Sequence, residues 1–276
     1  MNIQVSNPIV STDWLQEHLH ATNLVILNGT IPKVTAISEQ ETMQIPNARF
    51  FDIKNVFSVQ NAPFPNTMLD VAAFTQEAQK LGIQQDSAIL VYDELGIYAS
   101  PRVWWMFKAM GFDNIAVLDG GFPVWKEENR VCETKKVVDV NRGNFQGKDC
   151  LHLFRNYLEM LQEVQNTSNI ILDARSEARF TGKVPEPREG LRSGQIPNSK
   201  NLPYTELLHH HQIKSKSEIK AIFESFQPKE KQLIFSCGSG ITACILALAA
   251  EYSGYKNYAV YDGSWTEWGS VYTLEV

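Results

Sequence analysis

The chain has 276 residues, of which 43% are hydrophobic and 20% charged, and its 25 basic and 31 acidic side chains give a formal net charge of −6. The length suits one large domain or two smaller ones. A net negative charge argues against nucleic acid as the main partner, because such a partner needs a basic face. The longest apolar run, residues 241–250, has about half the length of a membrane helix, so we expect no membrane partner.

The cysteines indicate a reducing compartment. There are four of them, and no two stand in a CxxC pair (Cys132, Cys150, Cys237 and Cys244). That number is too small for a disulfide scaffold, and the spacing does not suit a zinc site. The first residues lack a basic segment followed by an apolar one, so no secretory signal is expected. We therefore expect a cytoplasmic protein that needs no metal.

Short apolar runs predict the strands of a parallel sheet. In chain order these runs are residues 88–92, 115–118, 170–172, 232–236 and 258–261. Three further segments predict helices: residues 71–81 behind the cap Asp70, the segment from Pro101 to Met110, and residues 242–253. The alternation predicts an α/β fold, with helices on both faces of each sheet. Ligands of such folds bind beyond the carboxyl ends of the strands.

The two halves of the chain repeat each other. Gly111, Asp119 and Trp125 have counterparts 143 residues later, in the segment 254–268. Matched landmarks in one order indicate a duplicated domain. We place the N-terminal domain at residues 1–130, a polar linker at 131–152 and the C-terminal domain at 153–276.

One loop of the second half has the features of a nucleophile site. A predicted strand ends just before Cys237, and Gly238, Ser239, Gly240, Ile241 and Thr242 lead into a helix. Glycines let backbone N–H groups turn inward as an anion-binding nest, and the helix N-terminus adds partial positive charge. This setting favours the thiolate of Cys237, which is the nucleophilic form. The alternative is that Cys237 is only a small buried apolar residue.

The matching loop of the first half and the residue six positions after Cys237 limit the reactions that the site can catalyse. The first half has Asp93 where the second has Cys237, and a carboxylate cannot act as a sulfur nucleophile. A cysteine phosphatase needs an arginine six residues after the cysteine, where this chain has Ala243. Sulfur transfer through a persulfide on Cys237 fits the loop and needs no cofactor.

The chain resembles the two-domain rhodanese-type sulfurtransferases over nearly its whole length. The resemblance is carried by the Cys237 loop and by nine further segments, at residues 11–15, 51–53, 91–93, 101–105, 118–121, 173–175, 185–188, 192–194 and 261–265. It implies two tandem rhodanese-like α/β domains, each a small, mainly parallel sheet flanked by helices, with the catalytic cysteine in the second.

The loop sequence also implies a sulfur donor. Family members that prefer thiosulfate typically have basic residues directly after the cysteine, whereas those that prefer 3-mercaptopyruvate read Cys-Gly-Ser-Gly-Val-Thr. Residues 237–242 read Cys-Gly-Ser-Gly-Ile-Thr. The resemblance thus implies 3-mercaptopyruvate as donor and a thiol, thioredoxin or cyanide as acceptor. A thiosulfate:cyanide sulfurtransferase and a non-catalytic rhodanese-like binding module are the alternatives.

The resemblance also assigns substrate-binding residues. Arg179 and Arg188 match two arginines that hold mercaptopyruvate in the family, including their spacing. The alternative is that they are surface arginines paired with a glutamate such as Glu186.

A polar relay beside the cysteine is matched only in part. Ser239 and Asp52 match the serine and aspartate of a Ser-His-Asp relay described in related enzymes. The expected histidine falls at Asn66 or Thr67, and neither is a histidine. We therefore expect Ser239 to donate a hydrogen bond to sulfur or ketone, and we retain Asp52 as a candidate.

Overall fold

The computed structural model describes residues 2–31, 41–228 and 230–271. It divides into two compact units, each with one five-stranded sheet. Unit 1 comprises Met1–Ser58, Met68–Cys150 and His209–Ile213, and unit 2 comprises Val59–Thr67, Leu151–Leu208 and Lys214–Val276. Each half of the chain therefore supplies one short segment to the unit that the other half forms.

Unit 1 is a parallel sheet with helices between its strands. Its elements are β1 (Ile9–Val10), α1 (Thr12–His18), β2 (Leu24–Asn28), β3 (Met43–Gln44), β4 (Arg49–Phe50), α2 (Val71–Lys80), β5 (Ala88–Tyr92), α3 (Ser100–Ala109), β6 (Ile115–Leu118), α4 (Gly121–Glu127) and β7 (Glu133–Thr134). The sheet has the order β4-β2-β5-β6-β1, and all its pairs are parallel. β3 and β7 form a separate antiparallel pair.

Unit 2 repeats this topology. Its elements are β8 (Phe154–Arg155), α5 (Tyr157–Glu163), β9 (Asn169–Asp173), α6 (Glu177–Phe180), β10 (Lys200–Asn201), α7 (Lys216–Glu224), β13 (Gln232–Ser236), α8 (Ala243–Tyr252), β14 (Tyr258–Tyr261) and α9 (Ser264–Val271), with 3₁₀ turns at Leu151–Leu153 and Tyr204–Leu207. The short strands β11 (Leu208–His209) and β12 (Gln212–Ile213) precede α7 and pair with each other. The main sheet is parallel in the order β10-β9-β13-β14-β8, which matches unit 1 strand for strand.

The local signals in the sequence explain these elements, and the predicted α/β fold is confirmed. The Asp70 side chain accepts a hydrogen bond from the Ala73 N–H at 2.8 Å and so caps α2. Pro101 lies in the first turn of α3, where its missing N–H has no cost. α8 is buried from Ala243 to Ala250, as its apolar composition predicts. Within the part of the chain described, no helix combines the length and the apolar character needed to cross a membrane.

The stretch predicted as a linker packs on unit 1, which includes residues up to Cys150. Phe145 is fully buried, and its ring centroid lies 5.6–6.1 Å from those of Phe74, Phe107 and Phe112. A single aromatic side chain buries enough apolar surface to hold a polar segment in place. The local composition, rich in asparagine and glycine, does not show this contact.

The two units share a backbone arrangement where a strand-end loop meets a helix. In unit 1 the Phe122 N–H donates to the Asp93 carbonyl at 3.0 Å, and in unit 2 the Trp265 N–H donates to the Cys237 carbonyl at 2.9 Å. The helices concerned begin with left-handed residues, Gly121 at φ +56° and Ser264 at φ +50°. The duplication thus extends to individual hydrogen bonds.

A side chain at position 121 is excluded by the loop above it. A Cβ on Gly121 would lie 2.5 Å from the carbonyl oxygens of both Asp93 and Gly96. We expect Gly121→Ala to lower the free energy of unfolding by roughly 3 kcal/mol or more, because backbone must move in addition to the strain of a positive φ. Urea unfolding of the purified protein measures this.

The matched control is Gly254→Ala. Gly254 also has a positive φ, +99°, but an added Cβ there meets no atom within 4 Å. This variant should lose only the roughly 1–2 kcal/mol of left-handed strain. Equal losses in the two variants would contradict the steric argument.

Candidate active site

The backbone around Cys237 is clamped to the first turn of α9. The Cys237 N–H donates to the Ser264 hydroxyl at 3.1 Å, and the Cys237 carbonyl accepts from the Trp265 N–H at 2.9 Å. The Gly238 carbonyl accepts from the Thr266 N–H at 2.8 Å and from its hydroxyl at 2.6 Å. Cys237 follows the last residue of β13 and is 1% exposed. These four hydrogen bonds fix the nucleophile candidate on rigid structure.

The Ser264 hydroxyl also lies near the sulfur. Its oxygen is 3.8 Å from the Cys237 Sγ and 2.9 Å from the Tyr261 carbonyl. One hydroxyl hydrogen serves one acceptor at a time, so Ser264 can turn its donor from Tyr261 to the sulfur when the sulfur carries charge. The sequence analysis missed Ser264. The available signal was its repeat position, where the first half has Gly121.

The remaining loop residues lead from the cysteine into α8. Gly238 and Ser239 are partly exposed, and Gly240 has a left-handed φ of +79°. Ile241 is buried, and Thr242 caps α8 without a side-chain hydrogen bond. Among the described residues, the hydrogen bond to the Cys237 sulfur comes from Ser264, not from the loop backbone. The predicted convergence of N–H groups on the sulfur stays a prediction.

Unit 1 shows what this loop conformation does to an anion. The Asp93 carboxylate is fully buried, and its Oδ1 accepts from the Leu95 N–H at 2.9 Å. Its Oδ2 accepts from the N–H groups of Tyr98, Ala99 and Ser100, each at 2.9 Å, and from the Ser100 hydroxyl at 2.8 Å. Burial raises the pKa of Asp93, and the Ser100 and Tyr98 donors oppose that shift. The first unit's nest is therefore filled by its own carboxylate.

Arg179 reaches the Cys237 loop, as the resemblance implied for a substrate-binding residue. A Cβ on Gly238 would lie 2.9 Å from the Arg179 Nη2 atom. The same guanidinium is paired with Glu186, at 2.5 Å from Nη2 to Oε2 and 3.2 Å from Nε to Oε1. The Arg179 side chain is 27% exposed, while that of Glu186 is 2% exposed. Arg179 is thus paired with Glu186, as expected if it were only a surface arginine, but it also lies beside the Cys237 loop.

Glu186 connects Arg179 to the sheet. It accepts from the Arg175 Nη1 at 2.9 Å, and Arg175 donates from Nε and Nη2 to Asp173, the last residue of β9. The Arg175 guanidinium lies over the Trp265 ring, 4.7 Å from its centroid. Burial lowers the pKa of Arg175, but the two carboxylates raise it more, so the net shift is upward. The sequence analysis missed Glu186 as a positioning group.

Among the hydrogen bonds of the described residues, none joins Arg188 or Asp52 to the Cys237 loop. Arg188 is exposed, and its carbonyl accepts from the Leu191 N–H at 3.3 Å. The Asp52 Oδ1 accepts from the Lys54 and Asn55 N–H groups, so this carboxylate caps a local turn of unit 1. Their predicted roles at the site stay predictions.

Ser239 is held by a residue from the first half of the chain. The Asn66 Nδ2 donates to the Ser239 carbonyl at 3.0 Å and to its hydroxyl at 3.2 Å. Both residues belong to unit 2. Asn66 was noticed in the sequence only as the place of a missing histidine, and the fold gives it a contact with the loop.

Known proteins similar to this chain agree with the fold. The model of the Rhodanese-like domain matches residues 11–128 and again 156–270. A 3-mercaptopyruvate sulfurtransferase of Mus musculus is 35% identical over 277 residues, covering 96% of this chain and 93% of its own length. A thiosulfate sulfurtransferase of the same species is 35% identical over 272 residues, covering 94% and 91%. The crystal structure of SseA from Escherichia coli superposes with a TM-score of 0.82 at 30% identity, covering 94% of this chain and 99% of that one. The chain belongs to the rhodanese family, and each of its halves contains a rhodanese-like domain.

Proposed function

We propose that the protein is a sulfurtransferase that moves the sulfur of 3-mercaptopyruvate onto Cys237 and then to an acceptor. The observation that carries the proposal is the position of the Arg179 guanidinium beside Gly238, next to a clamped cysteine. A nucleophile beside a cation suits a substrate with a thiol and a carboxylate. Sulfur transfer is also the activity that the names of both murine relatives share.

The first half-reaction forms a persulfide. The Cys237 thiolate attacks the sulfur of mercaptopyruvate, a sulfur–sulfur bond forms and the carbon–sulfur bond breaks. The electron pair of the broken bond leaves with the pyruvate enolate, which takes a proton to become pyruvate. Arg179 and Arg188 would hold the carboxylate and ketone, and Ser239 would donate a hydrogen bond to the ketone oxygen as its negative charge develops.

The second half-reaction restores the enzyme. A thiol, a reduced thioredoxin or cyanide attacks the outer sulfur, and the Cys237 thiolate leaves. Kinetics of the ping-pong type follow from the covalent intermediate. A reducing compartment such as the cytoplasm would supply thiol acceptors and keep Cys237 reduced.

The absence of a side chain at position 238 supports a keto acid as donor. A side chain there would meet the Arg179 Nη2 atom and push the guanidinium from its place beside the loop. A basic residue, as in the thiosulfate-preferring pattern, would add charge repulsion with Arg179. Thiosulfate remains the second candidate donor because a thiosulfate sulfurtransferase resembles the chain as closely as a mercaptopyruvate enzyme does.

Mass spectrometry tests the intermediate. After incubation with mercaptopyruvate alone, the peptide containing Cys237 should gain the mass of one sulfur atom, and kcat/KM should be higher with mercaptopyruvate than with thiosulfate. Cys237→Ser should lose both adduct and turnover. Cys244→Ser is the matched control, because this buried thiol donates to the Gly240 carbonyl at 3.3 Å and a hydroxyl can make the same hydrogen bond.

Two results would contradict the scheme. Turnover retained by Cys237→Ser would exclude Cys237 as the nucleophile. If neither donor produced an adduct on Cys237, the protein would be a non-catalytic rhodanese-like binding module.

Gly238→Ala tests the placement of Arg179. The added methyl displaces the far end of a flexible side chain, so stability should change little, whereas kcat/KM with mercaptopyruvate should fall about tenfold because the guanidinium leaves its binding position. Steady-state kinetics and thermal unfolding of the same preparation measure the two effects. Arg179→Lys should produce a similar loss, since it keeps the charge but not the forked geometry. An unchanged kcat/KM in both variants would remove Arg179 from the site.

Ser239→Ala tests the hydroxyl. We expect kcat/KM to fall more with mercaptopyruvate than with thiosulfate, because the ketone oxygen becomes charged only as the bond to sulfur breaks, whereas the oxygens of thiosulfate are already charged before it. Ser225→Ala, which removes a hydroxyl bonded to the Ile222 carbonyl on α7, is the control and should change neither value. Equal losses with the two donors would count against the assigned role.

A further inference from the structure

A loop from the first half of the chain is built to present one amide to the Cys237 loop. The segment Val59–Thr67 belongs to unit 2. The Val59 N–H donates to the Thr67 carbonyl, and the Thr67 hydroxyl donates to the Phe64 carbonyl, both at 2.8 Å. Asn66 has a left-handed φ of +61°, which asparagine adopts more readily than most residues. The hydrogen bonds that close this loop place Asn66 against Ser239.

The contacts determine which way the Asn66 amide faces. The Ser239 carbonyl oxygen lies 3.0 Å from the amide and can only accept, so the atom that faces it is the Nδ2 donor. The second hydrogen of the same Nδ2 is available to the Ser239 hydroxyl oxygen, at 3.2 Å. That hydroxyl therefore acts as an acceptor toward Asn66, and its own hydrogen is left for another acceptor.

We infer that Asn66 is a positioning residue that holds the Ser239 hydroxyl as a hydrogen-bond donor to the leaving group of the sulfur donor. The inference rests on the proposed function. Ser239 stands two residues after Cys237, on the partly exposed part of the loop. As the bond to sulfur breaks, negative charge develops on the enolate oxygen of pyruvate, or on sulfite oxygens if the donor is thiosulfate. A donor already oriented toward that charge stabilises it without reorganisation.

The amide also makes this orientation independent of pH. A histidine exchanges donor and acceptor roles as it titrates near pH ~6.5, whereas an amide does not titrate in water. Asn66 cannot act as a general base, so no proton of the reaction passes through it. Its contribution is the direction of the Ser239 hydroxyl and the position of the Ser239 carbonyl.

A double-mutant cycle tests the inference. Asn66→Gly removes the amide and suits the positive φ, and it is combined with Ser239→Ala. We expect each single variant to lower kcat/KM about tenfold and the double variant to be no worse than Ser239→Ala, because Asn66 acts through the hydroxyl. Asn61→Gly is the matched control, since Asn61 lies in the same loop with φ +60° and an exposed side chain. It should leave kcat/KM unchanged.

The pH dependence of kcat/KM distinguishes a positioning role of Asn66 from a purely structural one. Asn66→Asp keeps the size and tolerates the left-handed backbone, but its ionised carboxylate accepts the Ser239 hydrogen instead of leaving it free. We expect Asn66→Asp to be less active than Asn66→Gly at neutral pH, and the ratio of their kcat/KM values to rise as the pH is lowered and the new carboxyl is protonated. Taking the ratio removes ionisations common to both variants.

The outcomes separate this inference from the proposed function. Additive losses in the cycle, or a ratio that does not change with pH, would overturn the role of Asn66. Wild-type turnover of thiosulfate but not of mercaptopyruvate would overturn the proposed donor, and the cycle measured with thiosulfate would then decide the role of Asn66. A wild-type protein that uses neither donor would overturn both.

Discussion

The hydrogen bonds between the Cys237–Gly238 backbone and the first turn of α9 are the constraint on which the site depends. They join the end of a central strand to the first three residues of α9, the helix that follows the neighbouring strand β14, so the loop cannot relax away from the sheet. Ser264 has a left-handed backbone, and this unusual conformation aims its hydroxyl at both the Cys237 N–H and the Cys237 sulfur. Strain of this kind persists only where surrounding structure enforces it, and here it places a hydroxyl beside the candidate nucleophile.

The two units have the same loop backbone but place different side chains in it: Asp93 in unit 1 and Cys237 in unit 2. In unit 1 the loop has closed on its own carboxylate, and the space under it is so small that position 121 must be glycine. In unit 2 the corresponding residue is Ser264, and the residue that follows the strand is Cys237. An anion nest occupied by Asp93 has no capacity for an external anion. The two halves thus differ in what fills the same loop.

A chain of buried ion pairs holds Arg179 beside the Cys237 loop. Asp173, Arg175 and Glu186 are nearly inaccessible to water, and a buried ion that loses its partner is costly. Each charge in this group is paired, and the group ends at Arg179, the member that remains partly exposed. An arginine held by a fixed glutamate loses little entropy on binding an anion, because its side chain is already ordered. In the proposed function, a substrate carboxylate shares the guanidinium with Glu186.

The sequence by itself determined the five central strands β5, β6, β9, β13 and β14, the three helices α2, α3 and α8, the duplication and the place of Cys237 after a strand, because these follow from local composition and from repeated spacing. It also separated the two halves, since Asp93 and Cys237 differ in chemistry wherever they lie. Only the tertiary structure decided that Ser264 lies by the sulfur, that Glu186 holds Arg179 and that Phe145 fastens the supposed linker. It also brought Asn66 to Ser239 and gave Asp52 to a local turn. The physical reason is that each of these contacts depends on the direction of a side chain within a folded unit, which residue type and spacing along the chain leave open.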